Sequence, residues 1–104
     1  MEYIYKGEWN KKKGFRDGRG VLVYPEGTKY EGYIHDDSLN GWGRLVHHTG
    51  EVYEGEWFDE KANGHGVYFN PRGIKFTGDW ANDVPNGLGL EEFPEGTVFE
   101  GLFV

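Results

Sequence analysis

Apolar and glycine residues alternate with polar ones in short stretches along the chain. Tyr53-Glu54-Gly55-Glu56-Trp57 shows the pattern, in which an aromatic, a glycine and an aromatic are separated by acids. An alternation with a period of two residues is typical of a β-strand that has one apolar face. Helices are disfavoured because glycine recurs every few residues, and each glycine inside a helix costs about 1 kcal/mol. The pattern therefore predicts an all-β protein.

The alternating stretches recur every 23 residues. They begin at Tyr30, Tyr53, Phe76 and Phe99, and another begins at Tyr5, 25 residues before Tyr30, so the first unit has two extra residues. Seventeen of the 18 glycines keep this period. Such a period predicts stacked supersecondary units, and a scaffold that works through a surface rather than a pocket. We expect one domain with units at about 5–29, 30–52, 53–75 and 76–98, and a half unit at 99–104.

Each unit is predicted to contain two strands and two turns. A polar stretch that ends in Asp-Gly or Asn-Gly follows the first strand, and a turn such as Pro25-Glu26-Gly27 follows the second. Proline presets φ at the first turn position, and glycine takes the left-handed conformation that ends a three-residue loop. The resulting register places two glycines opposite each other in every hairpin: Gly20 and Gly32, Gly43 and Gly55, Gly66 and Gly78, and Gly89 and Gly101.

This register separates the side chains onto two faces. One face is predicted to be an aromatic strip over a floor of glycines, because a strand glycine leaves room for a flat ring. Trp57 is expected beside Gly41, and Trp80 beside Gly64. The other face combines acids such as Glu54 with valines. The two extra residues of the first unit preserve this sidedness because the strand period is two.

The net charge of −7 is unevenly distributed. Residues 1–29 hold seven Lys/Arg against four Asp/Glu, whereas residues 30–104 hold four against fourteen. The acidic part is expected to repel nucleic acid and anionic lipid. There is no cysteine for a disulfide or thiolate metal site. The N-terminus lacks signal-peptide features, and no apolar run approaches the ~20 residues of a membrane span. We therefore expect an intracellular protein.

No catalytic, cofactor or metal site is predicted. The Gly-x-Gly segments lack the third glycine and the following helix of a dinucleotide site. Ser38, the only serine, has no nucleophile-elbow motif around it. The four histidines lack metal-ligand spacing. They are His35, His47, His48 and His65.

These repeats resemble the MORN repeat family, whose pattern is Tyr-x-Gly-x-Trp, a polar turn, Gly-x-Gly and a Pro-Asp-Gly-like turn. The resemblance covers nearly the whole chain, with departures at Tyr33-Ile34, His48 and Glu91. It implies a single-layer twisted antiparallel sheet of successive β-hairpins, a MORN repeat solenoid, curved so that the aromatic face forms a groove. It also implies a cytoplasmic or cytoskeletal location such as a cilium, flagellum or sperm structure. Grooves of related proteins bind helical protein segments.

The leading hypothesis is a non-enzymatic adaptor that holds a long amphipathic helix of a partner protein in this groove. Nine or so strands at ~4.8 Å give a sheet of about 40 Å, which a helix of roughly 25 residues would fill. Acids near the rim favour Lys/Arg on the flanks of the helix. The expected contacts are Leu22, Tyr30, Leu45, Tyr53, Trp57, Tyr68, Phe76 and Trp80, with Trp42 at the rim.

Two alternatives remain open. A peripheral membrane module would bind anionic phospholipid through its N-terminal basic loop, with Lys11, Lys12, Lys13 and Arg16. A structural subunit would instead pair with another chain, or a second copy, at an open sheet edge. Its edge contacts would be Phe99, Leu102 and Phe103.

Overall fold

The computed structural model describes residues 3–103, which form one open sheet of nine antiparallel strands in chain order. The strands are β1 Ile4–Asn10, β2 Phe15–Val23, β3 Lys29–His35, β4 Ser38–Val46, β5 Val52–Phe58, β6 Lys61–Phe69, β7 Lys75–Ala81, β8 Val84–Glu92 and β9 Val98–Phe103. The predicted single-layer sheet of successive hairpins is therefore confirmed. No helix among the described residues has the length and apolar character needed to cross a membrane.

The hairpin register predicted from the Pro-x-Gly turns is also confirmed. Gly20 pairs with Gly32, and the three later hairpins place their glycines opposite each other in the same way. In the first of these loops the Tyr24 N–H donates to the Thr28 carbonyl at 2.8 Å, and Gly27 takes a φ of 102°. The loop is thus closed by a glycine in the left-handed region, as predicted.

The second kind of turn lies within the predicted polar stretch but is shorter than that stretch. Asp36 and Asp37 join β3 to β4 in a two-residue turn with φ angles of 47° and 68°, and residues 59–60 and 82–83 form equivalent turns. Positive φ at both positions defines a type I′ hairpin turn. The Asn40-Gly41 pair lies inside β4 instead, where the register shifts between Gly32 and Ile34. The predicted stretch was too long because a β-bulge requires positive φ just as a turn does, and here Gly41 provides it for the bulge.

Within each unit, the two glycines that face each other across its strands leave no room for a side chain. A Cβ added to Gly55 would lie 2.5 Å from the Gly66 Cα, and one added to Gly20 would lie 2.5 Å from the Tyr5 Cε1. The space above the pair is filled by the aromatic ring that opens each unit, as Tyr30 shows by contacting the added Cβ at Gly43. The expected ring-on-glycine packing is therefore present.

Tryptophans lie between the rings of successive units. The Trp57 ring centroid is 5.6 Å from that of Tyr30 and 5.1 Å from that of Tyr53, in edge-to-face geometry. Trp80 lies in the same way between Tyr53 and Phe76, at 5.2 and 5.3 Å. Such pairs add about 0.5–1.5 kcal/mol each beyond their area burial. As predicted, Trp57 and Trp80 pair with the bulge glycines, Gly41 and Gly64.

The polar atoms of these rings bond to the backbone. The Trp57 indole N–H donates to the Gly43 carbonyl at 3.0 Å, and the Tyr30 hydroxyl donates to the Tyr33 carbonyl at 2.8 Å. Buried Tyr and Trp groups need such partners, because an unpaired polar group in an apolar site costs about 1–3 kcal/mol. The ladder of rings is therefore buried without leaving its polar atoms unpaired.

The two-residue turns attach each unit to the one before it. Asp37 Oδ1 accepts from the Arg16 N–H at 2.7 Å, and Asp83 Oδ1 accepts from the Ala62 N–H at 2.8 Å. The Arg16 side chain also bonds to Asp37 at 2.9 Å, and these hydrogen bonds hold the pKa of the Asp37 carboxyl below its ordinary value. An acid at the second turn position therefore links neighbouring hairpins.

We predict that Gly43→Ala lowers the free energy of unfolding in urea by about 2–3 kcal/mol, because the new methyl group overlaps the fully buried Tyr30 ring. Gly101→Ala is the matched control, since its Cβ would meet only Phe99 at 3.6 Å. The control should change stability by less than about 0.5 kcal/mol. Equal effects of the two substitutions would contradict the ring-on-glycine packing.

Candidate functional site

The aromatic strip has a closed part and an open part. In the closed part, toward the N-terminus, Tyr30 is 0 % exposed and Leu22 is 3 % exposed, with Ile34 and Leu39 equally covered. Farther along the sheet the strip includes side chains that remain half-buried: Leu45, Tyr68 and Trp80. Surface available to a ligand is found in the second part, and also at Trp9, which contacts Tyr5 in β1 and is 52 % exposed.

The open part forms a depression of about 620 Å³, which we call the groove. It extends over β4 to β9 and is lined mainly by apolar and aromatic side chains. The lining residues are Leu45, Tyr53, Trp57, Ala62, Tyr68, Asn70, Ile74, Phe76, Trp80, Asp83, Pro85, Glu91 and Phe103. A volume of this size is in the range of ligand-binding clefts.

The charges around the groove are negative. Asp83 and Glu91 belong to its lining, which contains no lysine or arginine. At its margin the Tyr68 hydroxyl donates to Glu51 Oε2 at 2.6 Å, and this bond lowers the pKa of Glu51. Burial, followed by the bond to Glu51, raises the pKa of Tyr68 to about 12. The Tyr68 ring is thus held in place by a charge-assisted hydrogen bond.

Six of the predicted partner contacts line the groove, whereas three lie elsewhere. Leu22 and Tyr30 belong to the closed part of the strip and are buried in the core. Trp42 is not at the rim of the groove: it pairs with Glu56 on the opposite face and is 50 % exposed. It lies there because Gly43, the next residue in β4, faces the strip, and successive strand residues point to opposite faces.

Sequence reasoning missed several residues that line the groove. Phe103 occupies the unit position of Trp57 and Trp80 and packs on Phe76 with ring centroids 4.8 Å apart, so its position in the unit could have identified it. Pro85 pairs with Trp80 only because the register shifts at the bulge. Neither the turn residues nor the two-residue period indicates that shift.

The residues predicted for an open edge lie on both faces of β9. Phe103 is half-buried against Phe76, while Phe99 and Leu102 are 53 % and 69 % exposed. Among residues 3–103, β9 pairs with β8 on one side only. Edge pairing therefore stays a prediction.

The basic residues do not form one cluster. Lys11, Lys12 and Lys13 lie exposed in the loop between β1 and β2. Arg16 is half-buried in β2, where it is ion-paired with Asp37 at 2.9 Å and lies 5.8 Å from the centroid of the Tyr5 ring. Lipid binding through this region also stays a prediction. Of the four residues predicted for it, the three lysines are exposed and Arg16 is ion-paired.

Asp17, His35 and Asp36 come together, although their spacing along the chain is not that of metal ligands. His35 Nδ1 lies 3.5 Å from Asp17 Oδ1, and Nε2 lies 3.5 Å from Asp36 Oδ2. Because each ring nitrogen faces a different carboxylate, the geometry suits exposed ion pairs rather than ligands directed at a common ion. We assign no metal site to this group.

Buried tyrosines make the sheet sensitive to alkali. Burial raises the pKa of Tyr24, Tyr53 and Tyr68 from 10.0 to about 12, and raises that of Tyr30 as well. Because the folded state retains these protons longer than the unfolded chain, stability is complete below pH 10 and falls as the pH rises toward 12.

We predict that tyrosinate absorbance and loss of the circular dichroism signal rise together in this pH range. Ionisation of all the tyrosines in one step near pH 10, with the sheet intact, would contradict the burial of these rings.

Comparison with known families gives the same assignment as the structure. The sequence model of the family described as MORN repeat matches residues 5–29, 53–74 and 76–98, about two-thirds of the chain. The intervening residues 30–52, which contain Tyr33 and His48, form the same kind of hairpin through β3 and β4. A search of curated proteins gave no significant match. Both the repeat matches and the sheet of hairpins show that the chain belongs to the MORN repeat family, which is generally non-catalytic.

Proposed function

We propose that this protein is a non-enzymatic adaptor that binds an amphipathic helix of a partner protein in the groove. The observation that carries this proposal is the change along one aromatic strip from a closed core to an open surface. Tyr30 is fully buried, whereas Tyr68 and Trp80, one and two units along, line an open depression. Rimmed apolar surfaces of this kind commonly mark protein interaction sites.

The dimensions of the groove favour a short helix. It extends over six strands, and five spacings of ~4.8 Å give a length of about 24 Å. At 1.5 Å per residue this length accommodates a helix of about 16 residues. The expected 25-residue helix would also need the closed part of the strip, which has no free apolar surface.

The charge of this half of the molecule favours a helix with basic flanks. Asp83 and Glu91 line the groove, and Glu51 lies at its margin. Residues 76–104 contain six acids and no lysine or arginine. Opposite charges across an interface mainly raise the association rate and select the partner. We therefore propose lysine or arginine beside the apolar face of the bound helix.

A location in the cytoplasm, in a cilium or in another cytoskeletal assembly is part of the proposal and rests on the family resemblance. The membrane alternative has less support, because one of its four predicted residues, Arg16, is held by Asp37 and is half-buried. No contact among residues 3–103 favours lipid over a helix.

Tyr68 and Phe69 offer a matched test, because they are neighbours in β6 on opposite faces of the sheet. We would select binders from a library of 16-residue amphipathic helices that carry basic or acidic flanks, and measure Kd by fluorescence anisotropy. Tyr68→Ser should raise Kd about tenfold or more, since interface aromatics are frequent hot spots. Phe69→Ser should change Kd less than about twofold, because Phe69 lies on the face of the sheet opposite the aromatic strip, outside the groove.

Selection of helices with acidic flanks, or equal effects of the two substitutions, would contradict the proposal. Circular dichroism of both variants serves as the folding control. Tyr53→Ser and Phe76→Ser are less suitable, because these residues are only 6 % and 4 % exposed and belong to the core.

A further inference from the structure

The side of the sheet opposite the aromatic strip, here called the reverse face, has a recurring acid at its bulges. Glu8 Oε1 accepts from the Arg19 N–H at 2.6 Å in the first unit. Glu56 Oε2 accepts from the His65 N–H at 2.6 Å in the third. In each case the acid on the first strand satisfies a backbone donor on the bulged second strand.

The second unit has no acid at this position. Tyr33 occupies it, whereas the fourth unit retains an acid, Asp79, with Oδ2 3.4 Å from a Cβ added at Gly87. Tyr33 faces the bulge as the acids do, since its Cβ lies 3.2 Å from a Cβ added at Gly41. The donor that corresponds to those of Arg19 and His65 is the Trp42 N–H. No side chain of residues 3–103 accepts a hydrogen bond from it.

A small cleft of about 150 Å³ adjoins this donor. The Tyr33 and Trp42 side chains, 48 % and 50 % exposed, form its apolar walls. Arg19 and Arg44, which carry guanidinium groups, also line the cleft. Among the described residues, no carboxylate lies within the 4.0 Å ion-pair distance of either group.

Glu56 lies opposite Trp42 in the row of the bulge, with its Oε2 bonded to the His65 N–H, whereas the two acids that line the cleft lie away from the bulge. Glu31 and Glu54 are both register partners of Arg44. They belong to a row two residues along the strands from Tyr33 and Trp42, a distance of about 7 Å. Arg19, by contrast, is the register partner of Tyr33 and lies in the row of the bulge.

We propose that this cleft is a second binding site, which takes a glutamate side chain from an extended segment of a partner protein. The partner carboxylate replaces the acid that the second unit lacks. It accepts from the Trp42 N–H and the Arg19 guanidinium, while its methylene groups pack between Tyr33 and Trp42. Hydrogen bonds to a charged acceptor are about twice as strong as neutral ones.

This site is independent of the groove. It lies on the other face and selects for the opposite charge, because a glutamate meets Arg19 here but Asp83 and Glu91 in the groove. An adaptor with both sites would hold an acidic segment on one face and a helix with basic flanks on the other.

The test uses nuclear magnetic resonance of the full chain with N-acetyl-glutamate amide as the probe and N-acetyl-glutamine amide as its neutral control. We expect a saturable shift of the Trp42 amide resonance with the glutamate probe alone. Arg19→Gln should raise the Kd about tenfold. Tyr33→Glu should abolish binding, because it restores the internal acid seen at Glu56, and should shift the Trp42 amide in the absence of probe.

Three results would overturn the site: no Trp42 shift with the glutamate probe, equal shifts with both probes, or undiminished binding by Tyr33→Glu. The comparison of the two probes and the Arg19→Gln variant remain decisive if Tyr33→Glu fails to fold. Binding of helical peptides in the groove is measured separately, so failure of one site leaves the test of the other unchanged.

Discussion

The structure depends on the pairing of two glycines across neighbouring strands beneath an aromatic ring. Glycine weakens a strand because it adds backbone entropy and has no side chain to pack. Here it allows the ring of Tyr30 to lie directly against the backbone at Gly43, so that the ring is fully buried in a sheet without a second layer. Most domains bury the apolar face of a sheet against another layer. In this one, the side chains of the sheet cover one another along the repeat, with Trp57 closing the space between successive tyrosines.

The same arrangement explains why one face serves as both core and binding surface. From Tyr30 onward each ring is covered by the aromatic residue of the next unit, whereas Phe99 in β9 is 53 % exposed. The residues of the strip also differ between the N-terminal and C-terminal units. Phe76 has no hydroxyl group to donate as Tyr30 does, and Phe103 takes the place of a tryptophan. Glu91 replaces the apolar residue found at Leu45, which adds negative charge to the open part. Departures from the repeat therefore occur where the groove opens, and Tyr33 marks another departure on the reverse face.

Much of the fold was predictable because the signals are local and recur in every unit. The Pro-x-Gly turns indicated the hairpin register, and the two-residue period indicated the faces. The bulges were not predictable, because an Asn-Gly pair such as Asn40-Gly41 is as typical of a turn as of a bulge. The two-residue turn is formed by Asp36 and Asp37. The face that carries the groove was predicted correctly, but the groove was expected along the whole strip and extends only over β4 to β9. The burial of Tyr30 depends on its contact with Trp57 of the next unit. The sequence pattern within one unit carries no information about that contact. Trp42 was expected at the rim of the groove, although the predicted Gly43–Gly55 pairing and the two-residue period already place it on the opposite face.

In the proposed adaptor, binding is confined to the part of the strip that the repeat leaves uncovered. The most direct measurement is chemical-shift mapping of side-chain and amide resonances with a selected helical peptide bound. We predict large shifts at Tyr68, Ile74 and Trp80, and small ones at Leu22 and Tyr30, which already belong to the core. Shifts centred on the closed part of the strip, or on the reverse face, would contradict this confinement.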